Sequence, residues 1–334
     1  MIAAFHTLGC KTNAYETQAV LEQFRAAGFE IGEFSGVCDV YVINTCAVTQ
    51  EAARKSRQMI GRCRKKNPHA VVVVTGCYAQ DAGDKILADS MADIVVGNSM
   101  KSEILPRVTD KLRTSLEGSM AVKDLTHCTE YEDQIITGQG DHVRAYVKIQ
   151  DGCDRFCSYC LIPFMRGRSR SRGVEEILSE AQTLAAGGYH ELVLTGIDIS
   201  SFTSGHDPAA DVAELIEKLS AVEGIDRIRL GSLEVSLVTE PFVSAVRNVR
   251  EFCPQFHLSL QSGCDAVLKR MNRHYTTEEY MMAVQLIRKY FPDAAVTTDI
   301  IAGFPGETAE EFETTLEFME KVRFSRVHAF PYSR

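Results

Sequence analysis

Residues 144–160 read Arg144-Ala145-Tyr146-Val147-Lys148-Ile149-Gln150-Asp151-Gly152-Cys153-Asp154-Arg155-Phe156-Cys157-Ser158-Tyr159-Cys160. The first six predict a strand, and the chain leaves it through Gly152 into a C-x3-C-x2-C loop. Downstream, β-rich runs at 190–195, 227–230, 256–260, 296–301 and 326–330 alternate with helical periodicities at 174–186, 209–222, 277–290 and 309–322. Six strands joined by right-handed crossovers make a partial (βα)6 barrel, with the cysteine loop on the carboxyl rim of its first strand. Upstream, strands are expected at 2–7, 40–44, 71–75 and 94–96, with helices at 15–27 and 51–65. Val71-Val72-Val73-Val74 is continuously apolar, as a central strand covered on both faces requires. The fold class is therefore α/β, with an N-terminal parallel α/β domain followed by the partial barrel.

Periodicity weakens from about Ser115 to Gly140, where Gly138-Gln139-Gly140-Asp141 reads as a linker. The expected organisation is an N-terminal domain over 1–120, a connector over 121–140 and the barrel over 141–334. The sequence stops at Tyr332-Ser333-Arg334, just after the sixth strand, and reads as truncated there.

With 334 residues and 45% hydrophobic composition, the chain is long enough for two cores. No run approaches the roughly 20 apolar residues of a membrane span, and no basic segment precedes an apolar one at the N-terminus. A soluble, cytoplasmic protein without a membrane partner is expected. Eleven cysteines without an export signal favour metal ligation or buried thiols over disulfides. A net charge of −9 disfavours non-specific binding to DNA or RNA, so any RNA site must be local.

Three thiolates spaced as Cys153, Cys157 and Cys160 suit a 4Fe-4S cluster with one iron left open, whereas tetrahedral zinc asks for four ligands. A second set is scattered but regular in context. Cys10 follows the first strand, Cys46 the second and Cys77 the third, so all three fall at the carboxyl edge of one parallel sheet. That placement fits a second three-thiolate site and equally fits three ordinary buried cysteines. Cys63, beside Met59 and Ile60 on a helix, reads as a buried thiol.

Both triplets lie in segments that resemble the methylthiotransferase family of radical S-adenosylmethionine enzymes. These are Leu8-Gly9-Cys10-Lys11-Thr12-Asn13, Ile43-Asn44-Thr45-Cys46-Ala47-Val48-Thr49, Thr75-Gly76-Cys77-Tyr78-Ala79-Gln80 and the run from Gln150 to Arg168. Lys11, the Thr75–Gln80 segment and His328-Ala329-Phe330-Pro331-Tyr332-Ser333 look most like the MtaB branch. The resemblance implies two 4Fe-4S clusters, a reducing one on Cys153, Cys157 and Cys160 and an auxiliary one on Cys10, Cys46 and Cys77. It implies S-adenosylmethionine contacts on segments containing Gly196, Asp198, Glu234, Gln261, Gly303 and Pro305, with Tyr159 near the adenine. Solvated rim side chains are the competing reading of those positions.

The implied reaction is methylthiolation of carbon 2 of N6-threonylcarbamoyladenosine at tRNA position 37, beside the anticodon. Two S-adenosylmethionine molecules and a cluster-bound sulfur are consumed, and flavodoxin or ferredoxin is the expected kind of electron donor. Related readings are action on N6-isopentenyladenosine tRNA or on a ribosomal protein. A non-catalytic iron–sulfur module that binds RNA or relays electrons is the reading from another class. Family members carry a C-terminal TRAM β-barrel for RNA, and the sequence ends before one begins.

For the anticodon loop, basic residues must gather near the site. Arg54, Lys55, Arg57, Arg62, Arg64, Lys65 and Lys66 lie on one expected helix, and Arg166, Arg168, Arg170 and Arg172 alternate after the Cys153 loop. Arg64, Lys65, Arg166 and Arg168 are the chosen RNA contacts, against the alternative of a solvated cationic face.

Overall fold

The computed structural model describes residues 1–89, 91–114, 118–140 and 143–333. Ser115, Asp141 and Arg334, named above at the edges of the connector and at the end of the sequence, lie outside them. The chain divides into two units, Met1–Gln139 with Leu161–Arg168, and Gly140–Cys160 with Ser169–Arg334.

In the first unit, β1 (Ile2–Thr7), β2 (Glu30–Ile31), β3 (Val40–Thr45), β4 (Val71–Gly76), β5 (Ile94–Val96) and β6 (Ser119–Ala121) form one parallel sheet in the order β2-β1-β3-β4-β5-β6. Successive valines of β4 face opposite sides. Val72 and Val74 pack with Ile43, Ile60 and Ile86, beneath α2 (Gln50–Lys66) and α3 (Cys77–Ala88). Val71 and Val73 pack with Val20, Phe24, Ile104 and Val108, beneath α1 (Lys11–Ala26) and α4 (Ile104–Thr114). Each such side chain, fully buried, contributes about 1.5–3 kcal/mol.

Of the residues expected as a connector, 121–139 fall in this unit. β6 adds to the sheet edge, the Tyr15 hydroxyl donates to the Gln134 carbonyl at 2.5 Å, and Glu22 accepts the Thr137 amide at 2.8 Å. The short helix α5 (Ile162–Arg166) also packs here, through Met165 against the β4 face.

In the second unit, β7 (Ala145–Lys148) runs into a short antiparallel pair, β8 (Gln150–Asp151) with β9 (Arg170–Ser171). The parallel series continues through β10 (Glu191–Thr195), β11 (Arg227–Leu230), β12 (Ser232–Leu233), β13 (Gln255–Leu258), β14 (Ala295–Ala302) and β15 (Arg326–Pro331). Pairings run β7-β10-β11 and β12-β13-β14-β15. The third expected strand, 227–230, is β11, and beyond Gly231, whose amide donates to the Leu194 carbonyl at 2.9 Å, the two-residue β12 follows as a strand the sequence reading did not expect. The helices are α6 (Val174–Ala186), α7 (Pro208–Ser220), α8 (Glu240–Arg247), α9 (Asp265–Arg270), α10 (Thr277–Tyr290) and α11 (Ala309–Val322). Capping boxes Thr276/Glu279 and Thr308/Glu311 start the last two. Among the described residues, no helix is long and apolar enough to cross a membrane.

Candidate functional site

In the first unit, β1, β3 and β4 are neighbours, and Cys10, Cys46 and Cys77 follow their carboxyl ends. Cys10 is the N-cap of α1 and Cys77 opens α3. Two glycines permit the crowding. A Cβ on Gly9 (φ +104°) would stand 3.0 Å from the Cys46 Cβ and 3.2 Å from its Sγ. One on Gly76 (φ +93°) would collide with the Thr45 backbone.

The Cys46 thiol senses those of Cys77 and Cys10, and the Cys77 thiol senses that of Cys10. Burial raises the Cys77 and Cys46 thiols above the usual range, and the Arg166 guanidinium pulls both back towards the thiolate. Asn98 donates to the Cys77 sulfur at 3.7 Å and to the Met165 carbonyl at 2.9 Å. Asn13 donates to the carbonyls of Leu8 (2.8 Å) and Thr45 (3.1 Å), fastening two of the three cysteine loops.

Beneath lies a buried charge network. Arg166 reaches Glu16 at 2.8 Å and the Asn13 Oδ1 at 2.6 Å, and Lys101 reaches Glu16 at 3.0 Å. The Arg166 and Lys101 side chains are 0% exposed and that of Glu16 is 1%. A buried guanidinium among thiols that burial would otherwise keep protonated is what an anionic, thiolate-ligated group requires. These residues fit a three-thiolate cluster.

In the second unit, Cys153, Cys157 and Cys160 share one loop. Gly152 (φ +74°) and Phe156 (φ +48°) turn it, and Cys160 N donates to the Cys157 carbonyl at 2.9 Å. Burial pushes the Cys153 thiol up to about 12, with the Arg155 amide, 3.5 Å from its sulfur, acting in the opposite sense. Arg273 donates to the Cys157 sulfur at 3.3 Å. The segment after α9 holds the loop, since Ser158 N donates to the Met271 carbonyl at 3.0 Å and Asn272 to that of Phe156 at 3.0 Å. N–H donors on cysteine sulfurs suit iron–sulfur ligation.

Two of the rim positions reach this loop, Asp198 through Arg155 and Glu234 through Arg273. Gln150, fully buried, accepts the amides of Ile197 (3.0 Å) and Asp198 (2.8 Å), and Gly196 packs closely on it. Asp198 accepts from Arg155 at 2.7 Å through Oδ2, while its Oδ1 is buried with no hydrogen-bond partner among the described residues. That orphaned acceptor fits an ammonium group of a bound ligand. Glu234 pairs with Arg273 at 2.6 Å, and its amide donates to the Ser200 hydroxyl at 2.8 Å. Gln261 (φ +67°) exchanges backbone hydrogen bonds with Asp299 and Ile301, both 2.9 Å. Gly303 (φ +74°) donates to Glu307 at 2.7 Å, Pro305 is exposed, and Tyr159 packs with Val267, Met271 and Phe304. Burial raises the Tyr159 hydroxyl, keeping it neutral.

Residues 147–319 match the Radical SAM superfamily and residues 3–97 match "Uncharacterized protein family UPF0004". A Bacillus subtilis (strain 168) protein named threonylcarbamoyladenosine tRNA methylthiotransferase MtaB is 42% identical over 333 residues, covering 99% of this chain and 73% of that protein. The chain belongs to the radical S-adenosylmethionine methylthiotransferase family. An Aquifex aeolicus (strain VF5) protein of the same name is 38% identical, covering 100% of this methylthiotransferase and 80% of its own length. A Clostridium beijerinckii tRNA-2-methylthio-N(6)-dimethylallyladenosine synthase is 34% identical, with 98% and 73% covered. Among solved structures, the radical S-adenosylmethionine methyltransferase TsrM from Kitasatospora setae superposes with TM-score 0.71 at 13% identity, covering 98% of this chain and 72% of that one. That likeness shows the fold. The radical S-adenosylmethionine domain implies one 4Fe-4S cluster and the cofactor itself.

Two parts of the basic reading are corrected by burial. Arg166 is committed to Glu16 and cannot serve as an RNA contact, and Arg170 and Arg172 are buried beside Asp151 (3.7 Å) and Glu180 (2.5 Å). Arg168 is exposed. On α2 of the methylthiotransferase, Arg64 pairs with Asp93 at 2.7 Å and donates to the Ala70 carbonyl at 2.9 Å, whereas Lys65 and Arg62 are exposed. Sequence reasoning missed Glu16, Lys101, Asn98 and Arg273. Each lies among other polar residues in the sequence, and only its burial in the fold distinguishes it.

Proposed function

We propose that this chain methylthiolates carbon 2 of N6-threonylcarbamoyladenosine at tRNA position 37. The observation that carries the reading is that Cys10, Cys46 and Cys77 follow the carboxyl ends of the neighbouring strands β1, β3 and β4, with Gly9 packed against Cys46, in a family member that already holds the Cys153 triplet. Identity of 42% to the B. subtilis threonylcarbamoyladenosine enzyme, against 34% to the dimethylallyladenosine synthase of C. beijerinckii, supports the choice of tRNA.

When bound, a 4Fe-4S cluster with one open iron supplies the electron that cleaves S-adenosylmethionine to a carbon-centred radical, and a second cluster supplies the sulfur. Cys153, Cys157 and Cys160 hold the first, with Arg273 and the Arg155 amide stabilising their thiolates. Cys10, Cys46 and Cys77 hold the second. Asp198 accepts the amino group of S-adenosylmethionine, Glu234 and Gln261 meet its polar groups, and the Gly196 and Gly303–Pro305 turns let it approach the backbone. Tyr159, neutral, packs against its adenine. A second S-adenosylmethionine gives the methyl group, and a flavodoxin- or ferredoxin-type protein gives the electron. Lys65 and Arg168 contact the anticodon-loop phosphates.

The test is a pair of variants. Cys157→Ala abolishes S-adenosylmethionine cleavage, whereas Cys46→Ala retains cleavage to 5′-deoxyadenosine and loses methylthiolation. Equal loss of cleavage in both contradicts the division of labour. Product on an isopentenyladenosine stem-loop or a ribosomal protein, and none on the threonylcarbamoyl one, overturns the substrate.

A further inference from the structure

We infer that the interior face of the barrel carries a divalent transition-metal site formed by His257, Asp299 and His328. These lie on three adjacent parallel strands, β13, β14 and β15, with Asp299 directly opposite His328 in the register and His257 opposite Thr297. Their side is set by their neighbours. Thr298 faces the helical layer, where the Tyr280 hydroxyl of α10 approaches it at 3.5 Å, and Phe256 and Leu258 flanking His257 are fully buried. Asp299 and His257 therefore project from the opposite face, by the alternation of a strand.

The geometry is that of a ligand set. His257 Nε2 stands 3.3 Å from Asp299 Oδ2 and His328 Nδ1 stands 3.2 Å from Asp299 Oδ1. All three donor groups lie within 4.8 Å of one another. Each histidine nitrogen meets its own oxygen of the Asp299 carboxylate, and tetrahedral ligands on bonds of about 2.0–2.1 Å stand about 3.3 Å apart, so drawing both nitrogens towards one ion with the carboxylate between them forms the site. The Thr297 hydroxyl, 3.0 Å from His257 Nδ1, fixes that ring with Nε2 towards the carboxylate, the kind of outer contact that orients metal-bound imidazoles. The side chains are 15%, 27% and 41% exposed for His257, Asp299 and His328, which leaves an entry path and room for a fourth ligand from solvent or substrate. Two imidazoles and one carboxylate suit Zn²⁺ or Fe²⁺ and not Mg²⁺ or Ca²⁺, which take oxygen. None of the three residues holds either cysteine triplet or is among the cofactor contacts proposed above, so the inference does not rest on that reading.

The experiment uses the full chain after anaerobic iron–sulfur reconstitution, dialysed against one equivalent of Zn²⁺ and read at the zinc K-edge. One zinc per chain is expected, with its first shell entirely nitrogen and oxygen at about 2.0–2.1 Å. Retention falls at least tenfold in His257→Ala/His328→Ala and in Asp299→Asn. Zinc also raises the thermal midpoint of the wild-type chain, a readout independent of whether the variants fold. Failure to retain zinc, a sulfur shell at about 2.3 Å, or equal retention by variants with wild-type circular dichroism overturns the site.

Discussion

Glu16→Gln removes one buried anion from between two buried cations. Glu16 accepts from Arg166 at 2.8 and 3.2 Å and pairs with Lys101 at 3.0 Å, and all three side chains are at most 1% exposed. A glutamine keeps one acceptor oxygen and presents an amide N–H₂ where a carboxylate oxygen stood. Breaking a buried pair from one side costs about 3–5 kcal/mol, because the surviving charge stays buried. For a unit of this size, about 2–4 °C is lost per kcal/mol, so the midpoint falls on the order of 10 °C. Lys101→Met, which leaves Arg166 and Glu16 matched, costs less, about 1–3 kcal/mol for the acceptors it leaves at the Asn98 carbonyl (2.9 Å), the Asn98 Oδ1 (3.2 Å) and Glu16. Calorimetry of the cluster-free full chain measures both. A shift below about 2 °C for Glu16→Gln, or a larger one for Lys101→Met, refutes the reasoning.

Asp198→Asn presents an N–H₂ or a neutral oxygen at the orphaned Oδ1 position, and S-adenosylmethionine affinity measured by calorimetric titration falls about tenfold or more. The Asp211 carboxyl is buried, which raises it, but hydrogen bonds from Thr203 (2.7 Å), Ser204 and the His206 amide prevail and hold it well below the usual carboxylate range. Its stabilising contribution is present above about pH 4 and lost as pH falls through the depressed value, so acid unfolding of Asp211→Asn shows a shallower slope below pH 4. Lys65→Glu weakens tRNA binding and flattens its salt dependence without moving the thermal midpoint, whereas Arg64→Glu lowers the midpoint through loss of the Asp93 pair; filter binding and thermal scans separate the two.

Much of this architecture is legible in the chain because it is periodic. The four-valine run of β4 and the helical repeats at 174–186, 277–290 and 309–322 coincide with elements of the structure. The carboxyl-edge placement of Cys10, Cys46 and Cys77 follows from strand succession alone. What escaped reading lacks periodicity. β6 is three residues long and straddles the expected boundary between domain and connector, and α8 and α9 are too short to show a repeat. The arginines after the Cys153 loop alternate in sequence as an exposed strand would, yet Glu16, Asp151 and Glu180 draw three of the four inside. His257, Asp299 and His328 are separated by dozens of residues, and only strand register brings them together.

The most direct measurement combines iron counting with product analysis. The full chain, reconstituted anaerobically, is supplied with dithionite, S-adenosylmethionine and an anticodon stem-loop carrying N6-threonylcarbamoyladenosine, and its nucleosides are examined by mass spectrometry. About eight irons per chain, with the 2-methylthio nucleoside formed, is the predicted result. About four irons, with 5′-deoxyadenosine released and the nucleoside unchanged, contradicts the second cluster and with it the methylthiolation assigned to Cys10, Cys46 and Cys77.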